Sequence, residues 1–350
     1  GDRFFPLCLI ARVQNLEKIT ETYYLYEMKS FIHYSKKTSL ALCTLLAAMG
    51  FVACKNQDKV QGPTDTTSSG VIEISADESF APVLNQEIDV FENEYDQASI
   101  IPIYKSEVDA INLLLQDSVY LAITTRTLTE GENAALEQKK LFAKPVLLAT
   151  DAVALIINRE NPDSLLSVAQ LKKILSGEIT SWKQLNPQSK LGDITFVFDN
   201  PNSGMLRYLR DSLMQGAPLS DKLFAQNTNR EVIDFVEQTP GAMGVVGASW
   251  VLDMADTTLL SFIPQIRVMA LTDQAVPDKY NTFQPYQAYM ATGESPLSRS
   301  VYAILSEPRS GLATGFTRFL TGYKAQRVIL RAGLVPATQS LRIVNVREEL

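Results

Sequence analysis

Apolar residues alternate along VIEIS (71–75), as they do in half-buried strands; SIIPIY (99–104) and VYLAITT (119–125) read as further short strands, and ITFVF (194–198) alternates again. Each run leads into a helical pattern. After the first, Pro82 suits an opening turn, and Val83, Ile88 and Phe91 supply an apolar face. After the second, Ser106 and Asp109 stand three apart, as in a capping box with Asp replacing Glu. Val108, Ile111, Leu114 and Leu115 are assigned to the buried face. After the third, Arg126 precedes LTEGENAAL, another helix start. Strand followed by helix, repeated, predicts βαβ units and a parallel sheet.

Ligands of such sheets bind beyond the carboxyl ends of the strands. Four loops lie there: Ser79-Phe80, Ser106, Thr124-Thr125-Arg126 and Asn202-Ser203-Gly204, the last within DNPNSGMLRYLRDSL (199–213). Free N–H groups at helix starts, with hydroxyls and one Arg beside them, describe a cradle for an oxyanion. The same Ser and Thr residues are also the usual helix caps, and Asp77, Glu78, Glu107 and Asp109 can satisfy those N–H groups without a ligand. The pattern alone leaves both readings open.

Upstream of the first strand the pattern changes. From Met28, a segment carrying Lys29, Lys36 and Lys37 enters an apolar run from Leu40 to Ala53 that ends at Cys54. This has the plan of a secretory signal, too short for a spanning helix. The Cys after Phe51-Val52-Ala53 resembles the lipobox of bacterial lipoproteins, although Phe51 stands where Leu is usual; ordinary signal-peptidase cleavage nearby is the alternative. Residues 28–53 are therefore read as a signal peptide and Cys54 as the lipidation site. Residues 1–27 are read as a mis-assigned upstream extension. Residues 54–70, polar and rich in Gly, Pro, Ser and Thr, are read as a lipid-anchored flexible tether. The expected location is membrane-anchored, facing the periplasm or cell surface.

Composition then removes several chemistries. Residues 1–53 hold six Lys/Arg and four Asp/Glu, so 26 basic and 35 acidic residues remain, a net charge of −9. Such a surface argues against nucleic acid or anionic lipid as a partner. The single His of the chain, His33, lies in the signal, and beyond Cys54 there is no cysteine. Residues 55–350 can therefore build no intramolecular disulfide, no His/Cys metal site and no Ser-His-Asp machinery. No metal, no cofactor and no enzymatic activity are expected.

Longer stretches carry a resemblance. VLLATDAVALIINRENPDSLLSVAQLKKILSGEITSWKQLNP (146–187) has an apolar strand ending at Asn158 and a later turn with Gly177, Ile179, Thr180 and Trp182. TPGAMGVVGASWV (239–251), SPLSRSVYAIL (295–305) and FTRFLTGYKAQRVILRAGLVPA (316–337) come after it in order. Together they resemble the substrate-binding proteins of phosphate ABC transporters over nearly all of 71–340. The resemblance implies an α/β, two-lobed, periplasmic-binding-protein-like (type II) fold. Each lobe would be a mainly parallel sheet flanked by helices, with the ligand cleft between them. Lobe 1 would be 71–152 and 301–350, and lobe 2 would be 153–300, with chain crossings near 152–157 and 299–304. Trp182 and the VALII run are expected in the core.

Carried over position by position, the resemblance implies ligand contacts at Ser79, Phe80, Ser106, Thr124, Thr125, Arg126, Asn202, Ser203 and Gly204. Three positions depart from the family pattern. Thr125 stands where an Asp often accepts the proton of hydrogen phosphate, Asp199 where an Arg is usual, and Met205 where a Thr hydroxyl is usual. An anion in place of a cation inside an anion site costs several kcal/mol. Arg207 is expected to point away from the loop, and Arg126 to compensate by pairing with Asp199. The leading expectation is a monomeric, lipid-anchored protein that captures phosphate or a related small oxyanion for an ABC permease. The alternative is a surface-attached interaction or sensing module with a degenerate cleft.

Overall fold

The computed structural model describes residues 65–256 and 261–340. The signal segment, Cys54 and residues 1–27 lie outside the described residues. The chain opens with β1 (Gly70–Asp77), a 3-10 turn (Glu78–Phe80) and α1 (Ala81–Glu94), followed by β2 (Ala98–Lys105) and α2 (Glu107–Leu115). Next come β3 (Leu121–Thr124), α3 (Glu130–Gln138) and the 15-residue β4 (Lys144–Asn158). After these lie β5 (Leu165–Ser167), α4 (Val168–Ser176), α5 (Trp182–Leu185), β6 (Thr195–Phe198) and α6 (Gly204–Arg207), which passes into a π-helical stretch at Tyr208–Leu213. The remaining elements are β7 (Phe224–Ala225), α7 (Asn229–Gln238), β8 (Ala242–Gly247), β9 (Ile266–Val268), β10 (Ala270–Thr272), α8 (Gln287–Thr292), β11 (Ser298–Leu305), α9 (Leu312–Leu320), α10 (Tyr323–Arg331) and β12 (Val335–Pro336).

The βαβ expectation holds for β1, β2 and β3, which pair in parallel with β1 in the middle, and for β6 between β7 and β8. The main sheet runs β2-β1-β3-β11-β4-β8-β6-β7, with β9 and β12 also on β4. β11 is antiparallel to both β3 and β4, so neither half is wholly parallel. β4 spans both lobes: residues through Ala152 pair with β11, and from Val153 onward they pair with β8. Its run from Asp151 to Asn158 is buried throughout, as are β3 and β8, which explains the unbroken apolar stretch 152–157 where β1 alternates.

Separate apolar cores lie in the two lobes. In lobe 1, Ile74, Phe91, Leu121 and Phe316 pack together; in lobe 2, Trp182, Phe196, Met205 and Leu271 do so. Trp182 is fully buried, its indole N–H donating to the Gly241 carbonyl at 3.0 Å, as its expected core role requires. Val83, Ile88 and Phe91 face inward on α1. On α2 the expectation for Val108 is corrected: Val108 is 41 % exposed, and Glu107 turns inward instead. The flexible-tether expectation is corrected over its last residues. Asp65 accepts from the Leu312 N–H at 2.7 Å and pairs with Arg309, while Thr66 and Ser69 close a turn before β1. A carboxylate anchor on an unpaired N–H at the start of α9 holds residues that composition alone reads as linker.

Candidate functional site

β1 ends at Asp77, where the chain turns sharply through the 3-10 segment. One Asp77 oxygen accepts from the Ser79 backbone N–H at 2.9 Å and from the Ser79 hydroxyl at 2.5 Å. The other accepts from the Gly204 N–H of the opposite lobe at 2.9 Å. The carboxylate thus bridges the lobes through three neutral donors. Gly204 is required there by close approach: a Cβ would lie 2.7 Å from Asp77 Oδ2 and from Thr125 Oγ1, and 3.0 Å from Glu107 Oε1.

Glu107, the first residue of α2, forms the second bridge. It accepts from the Thr125 N–H at 2.7 Å and from the Thr125 hydroxyl at 2.5 Å, both from the loop after β3. Arg207, on α6 of lobe 2, donates Nε to Glu107 at 2.5 Å and Nη2 to Thr125 Oγ1 at 2.6 Å. Arg207 therefore points into the cleft, contrary to expectation, because its long side chain folds back toward the helix start. Burial pushes the Glu107 carboxyl up, but the Arg207 charge and the Thr125 bonds outweigh it and hold Glu107 below the usual range.

Glu78 accepts from the Asn229 N–H at 3.1 Å and from its side-chain amide at 2.5 Å, and the Trp250 indole donates to the Ser79 carbonyl at 2.9 Å. Behind Ser79 lies a buried ion pair. Arg299 on β11 stands opposite Asp151 on β4 in the strand register and donates Nε and Nη2 to Asp151 Oδ2 at 3.1 and 3.0 Å. Its Nη2 also donates to the Ser79 hydroxyl at 2.9 Å, and its guanidinium lies 5.1 Å from the Phe80 ring centroid. Arg299 Nη1 and Asp151 Oδ1 are buried without a hydrogen-bond partner among the described residues. Asp199 accepts from the Ser203 hydroxyl at 2.5 Å. Burial, with the Asp77 charge close by, pushes Asp199 up to about 7.

Of the residues singled out from the sequence, Ser79, Thr125, Ser203 and Gly204 converge on this arrangement. Ser106 caps α2, accepting from the Asp109 N–H at 3.2 Å. With Asp77, Glu78, Asp109, Asp199 and Ser203 it lines a cavity of about 210 Å³ at the cleft. The Phe80 ring belongs to the lobe 1 core. Thr124 donates to the Arg126 carbonyl at 2.8 Å, and the Asn202 carbonyl accepts from the Val108 N–H at 3.3 Å. Arg126 does not reach Asp199: its guanidinium forks onto Glu132 of α3, both bonds at 2.7 Å. Glu132 is three residues past the Thr129 cap and is held there by the capping box, since it also accepts from the Thr129 N–H. Met205 lies in the lobe 2 core, so position 205 supplies no hydroxyl to the cleft.

Sequence reasoning missed Arg299, Asp151 and the bridging role of Asp77. A signal was present for the pair: Arg299 shares strand parity with the buried Val301 and Ala303, and Asp151 interrupts an otherwise apolar run.

Comparison with known proteins places these features. A family model described as a PBP superfamily domain matches residues 61–323. The phosphate-binding protein PstS of Bacillus subtilis is 24% identical over 317 residues, covering 87% of this chain and 95% of that protein. PstS of Borreliella burgdorferi is 26% identical over 222 residues, 61% of this chain and 73% of that protein. Among solved structures, a candidate phosphate ABC transporter substrate-binding protein from Clostridium perfringens, with bound phosphate, superposes with a TM-score of 0.65 at 19% identity. It covers 77% of this chain and 100% of its own. An ABC-type phosphate transport receptor from Vibrio cholerae gives 0.56 at 22% identity, covering 76% and 100%.

Proposed function

As the chain belongs to the PBP superfamily, we propose that it is a substrate-binding protein that closes its lobes over phosphate or a related small oxyanion and delivers it to an ABC permease. The observation that carries this reading is the pair of carboxylate bridges. Backbone and hydroxyl donors from Ser79, Thr125 and Gly204 converge from both lobes on carboxylate oxygens. Those oxygens stand in for the oxygens of a bound oxyanion, so the donor set has the geometry such a ligand needs. Relatives named phosphate-binding proteins support the ligand class. The chain acts as a binding protein and not as an enzyme. It works as a monomer, with lobe 1 built from 71–152 and 301–350 and lobe 2 from 153–300, and is anchored through a lipid on Cys54. No helix of the described residues is long and apolar enough to cross a membrane. Calorimetric titration of the purified protein with phosphate, arsenate and sulfate tests the reading. Saturable heat with phosphate is expected, and no heat with any of the three defeats it.

The second reading, a sensing or interaction module with a degenerate cleft, is favoured by one observation. The charges of Asp77, Asp151 and Asp199 all act on Arg299, and Arg207 pairs with Glu107, so both guanidiniums face carboxylates of the chain and exposed Lys105 is the cation left at the cavity lining. Silent titrations together with a lobe-closed solution structure support it.

A further inference from the structure

Resting on the oxyanion reading above, we infer that the ligand enters this cleft by displacing the Asp77 carboxylate, and that Arg299 on β11 is the cation that neutralises it. Asp77 makes the contacts a small anion would make. One oxygen takes the N–H and hydroxyl of Ser79, and the other takes the N–H of Gly204 across the cleft. Among the described residues no cation bonds to it directly. All three donors are neutral, and each is as well satisfied by a ligand oxygen as by this side chain.

The charge distribution says where the counter-ion sits. The loop before α6 presents Asp199, which cannot neutralise an anion. Arg207 is committed to Glu107 and Thr125, and Arg126 to Glu132. Lys105 lines the cavity from the end of β2 but is exposed to water, which screens its charge; Arg299 is buried, donates to the hydroxyl that holds Asp77, and has one terminal nitrogen without a partner among the described residues. A buried guanidinium with a spare N–H, one hydroxyl away from a bridging carboxylate, is a fork with one tine unused.

Exchange also settles how an acidic cleft accepts an anion. When a singly charged oxyanion replaces the Asp77 carboxylate, and that carboxylate swings into solvent at the cleft mouth, the charge around Arg299 is unchanged. A doubly charged ligand makes it more negative by one. The cleft therefore favours the monoanion of phosphate, whose second ionisation falls near neutrality, and rejects sulfate. The cost of the device is affinity: a cleft plugged by its own carboxylate in nine of ten molecules binds about tenfold more weakly than an unplugged one.

The test is calorimetric titration of the full protein with inorganic phosphate, comparing wild type, Asp77→Asn, Arg299→Lys and Asp77→Asn/Arg299→Lys. Thermal unfolding is the fold control, and Trp250 fluorescence reports closure because its indole bonds to Ser79 across the cleft. Asp77→Asn is expected to bind phosphate about tenfold more tightly or better, and to show Trp250 emission that responds more to phosphate than in wild type. Arg299→Lys keeps the charge but loses the fork. It is expected to weaken phosphate binding about tenfold in either background, and more at pH 8 than at pH 6. Asp77→Asn binding no tighter than a phosphate-binding wild type overturns the inference and leaves the oxyanion reading standing. Arg299→Lys binding as its parent does overturns the assignment of the cation. A silent wild type with a binding Asp77→Asn supports the inference and removes phosphate capture by the native protein. If neither binds, both fall. Should Arg299→Lys fail to fold, the Asp77→Asn comparison decides alone.

Discussion

At the Glu107 end of the cleft a buried carboxylate meets a guanidinium directly. At the Asp77 end a buried carboxylate meets, among the described residues, only neutral N–H and O–H donors, with Arg299 one hydroxyl away. The first is charge-matched, and separating it strands an ion in a place that water reaches poorly. The second is hydrogen-bonded but not neutralised, and another anion can take its place without a change in net charge. The same fold thus carries a fixed clasp and an exchangeable one, which meet the opposite lobe at Arg207 and Gly204 of α6. Glu87, on α1 in lobe 1, supplies the reference for a buried acid with neither donor nor cation: both of its oxygens lack a partner among the described residues, and burial pushes it up to about 9.

The largest expected effect breaks the matched end. Arg207→Met leaves Glu107, 1% exposed, without its cation. Removing one partner of a buried pair costs about 3–5 kcal/mol. Urea unfolding at pH 7 reads this directly, with Asp77→Asn as the contrast at about 1–2 kcal/mol, because the single amide oxygen keeps the donors of only one carboxylate oxygen, Ser79 or Gly204, and its NH2 faces the other. Equal losses for the two variants would erase the distinction between the ends.

Glu87→Met comes next, with the opposite sign. The folded state keeps a proton on Glu87 that the unfolded chain releases near pH 4.5, so its contribution to stability is complete below that value and is lost as pH rises toward about 9. Methionine fills the same volume among Val83, Leu84 and Phe80 without a polar group. A gain of about 2–3 kcal/mol at pH 7 is expected, shrinking toward pH 5. A gain that does not depend on pH would locate its source in packing and not in the proton.

Asp199 sharpens the Asp77 end. Its folded value of about 7 lies above the ordinary carboxylate value, so stability from this group is present in mild acid and falls as pH rises through about 7. Asp199→Asn keeps an acceptor for Ser203 and removes the charge beside Asp77. The wild type should lose about 2 kcal/mol between pH 5 and 7 through this group, and the variant should not. Thermal unfolding across that range measures the difference, and a parallel slope in both proteins would mean Asp199 ionises freely.

Much of this architecture is legible in the chain because it depends on local period. The alternation of 71–75 and 194–198 marks β1 and β6, the apolar run 99–104 marks β2, and the face of Val83, Ile88 and Phe91 marks that of α1. The convergence of Ser79, Thr125, Ser203 and Gly204 comes from strand ends in a parallel sheet. The illegible part depends on side-chain direction and on pairing distant in sequence. Glu107 and Val108 are neighbours at the first turn of α2, where helical period does not fix the face, and Arg207 with Thr125 draws Glu107 inward. The antiparallel return of β11 brings Arg299 opposite Asp151, 148 positions away. Only the parity of Arg299 with Val301 hinted at its burial. Composition also mistook Asp65 for linker, since one anchoring carboxylate leaves no trace in a polar run.

Arg126 offers the smallest and most specific test. Its position after β3, beside two Thr residues, suggests the cation of an anion site. Its guanidinium instead forks onto Glu132, and the hydrogen bonds from Arg126 hold Glu132 down at about 2. Both side chains are about one-fifth exposed, so water and salt screen the pair and its loss costs under about 1 kcal/mol. Arg126→Ala should therefore unfold within that margin of wild type and change phosphate affinity by less than about threefold. Arg299→Lys, in the same assay, should weaken binding while keeping its charge. If Arg126→Ala abolishes phosphate binding, the fork onto Glu132 must open when the ligand arrives, and the counter-ion of the cleft then belongs to the loop after β3 and not to β11.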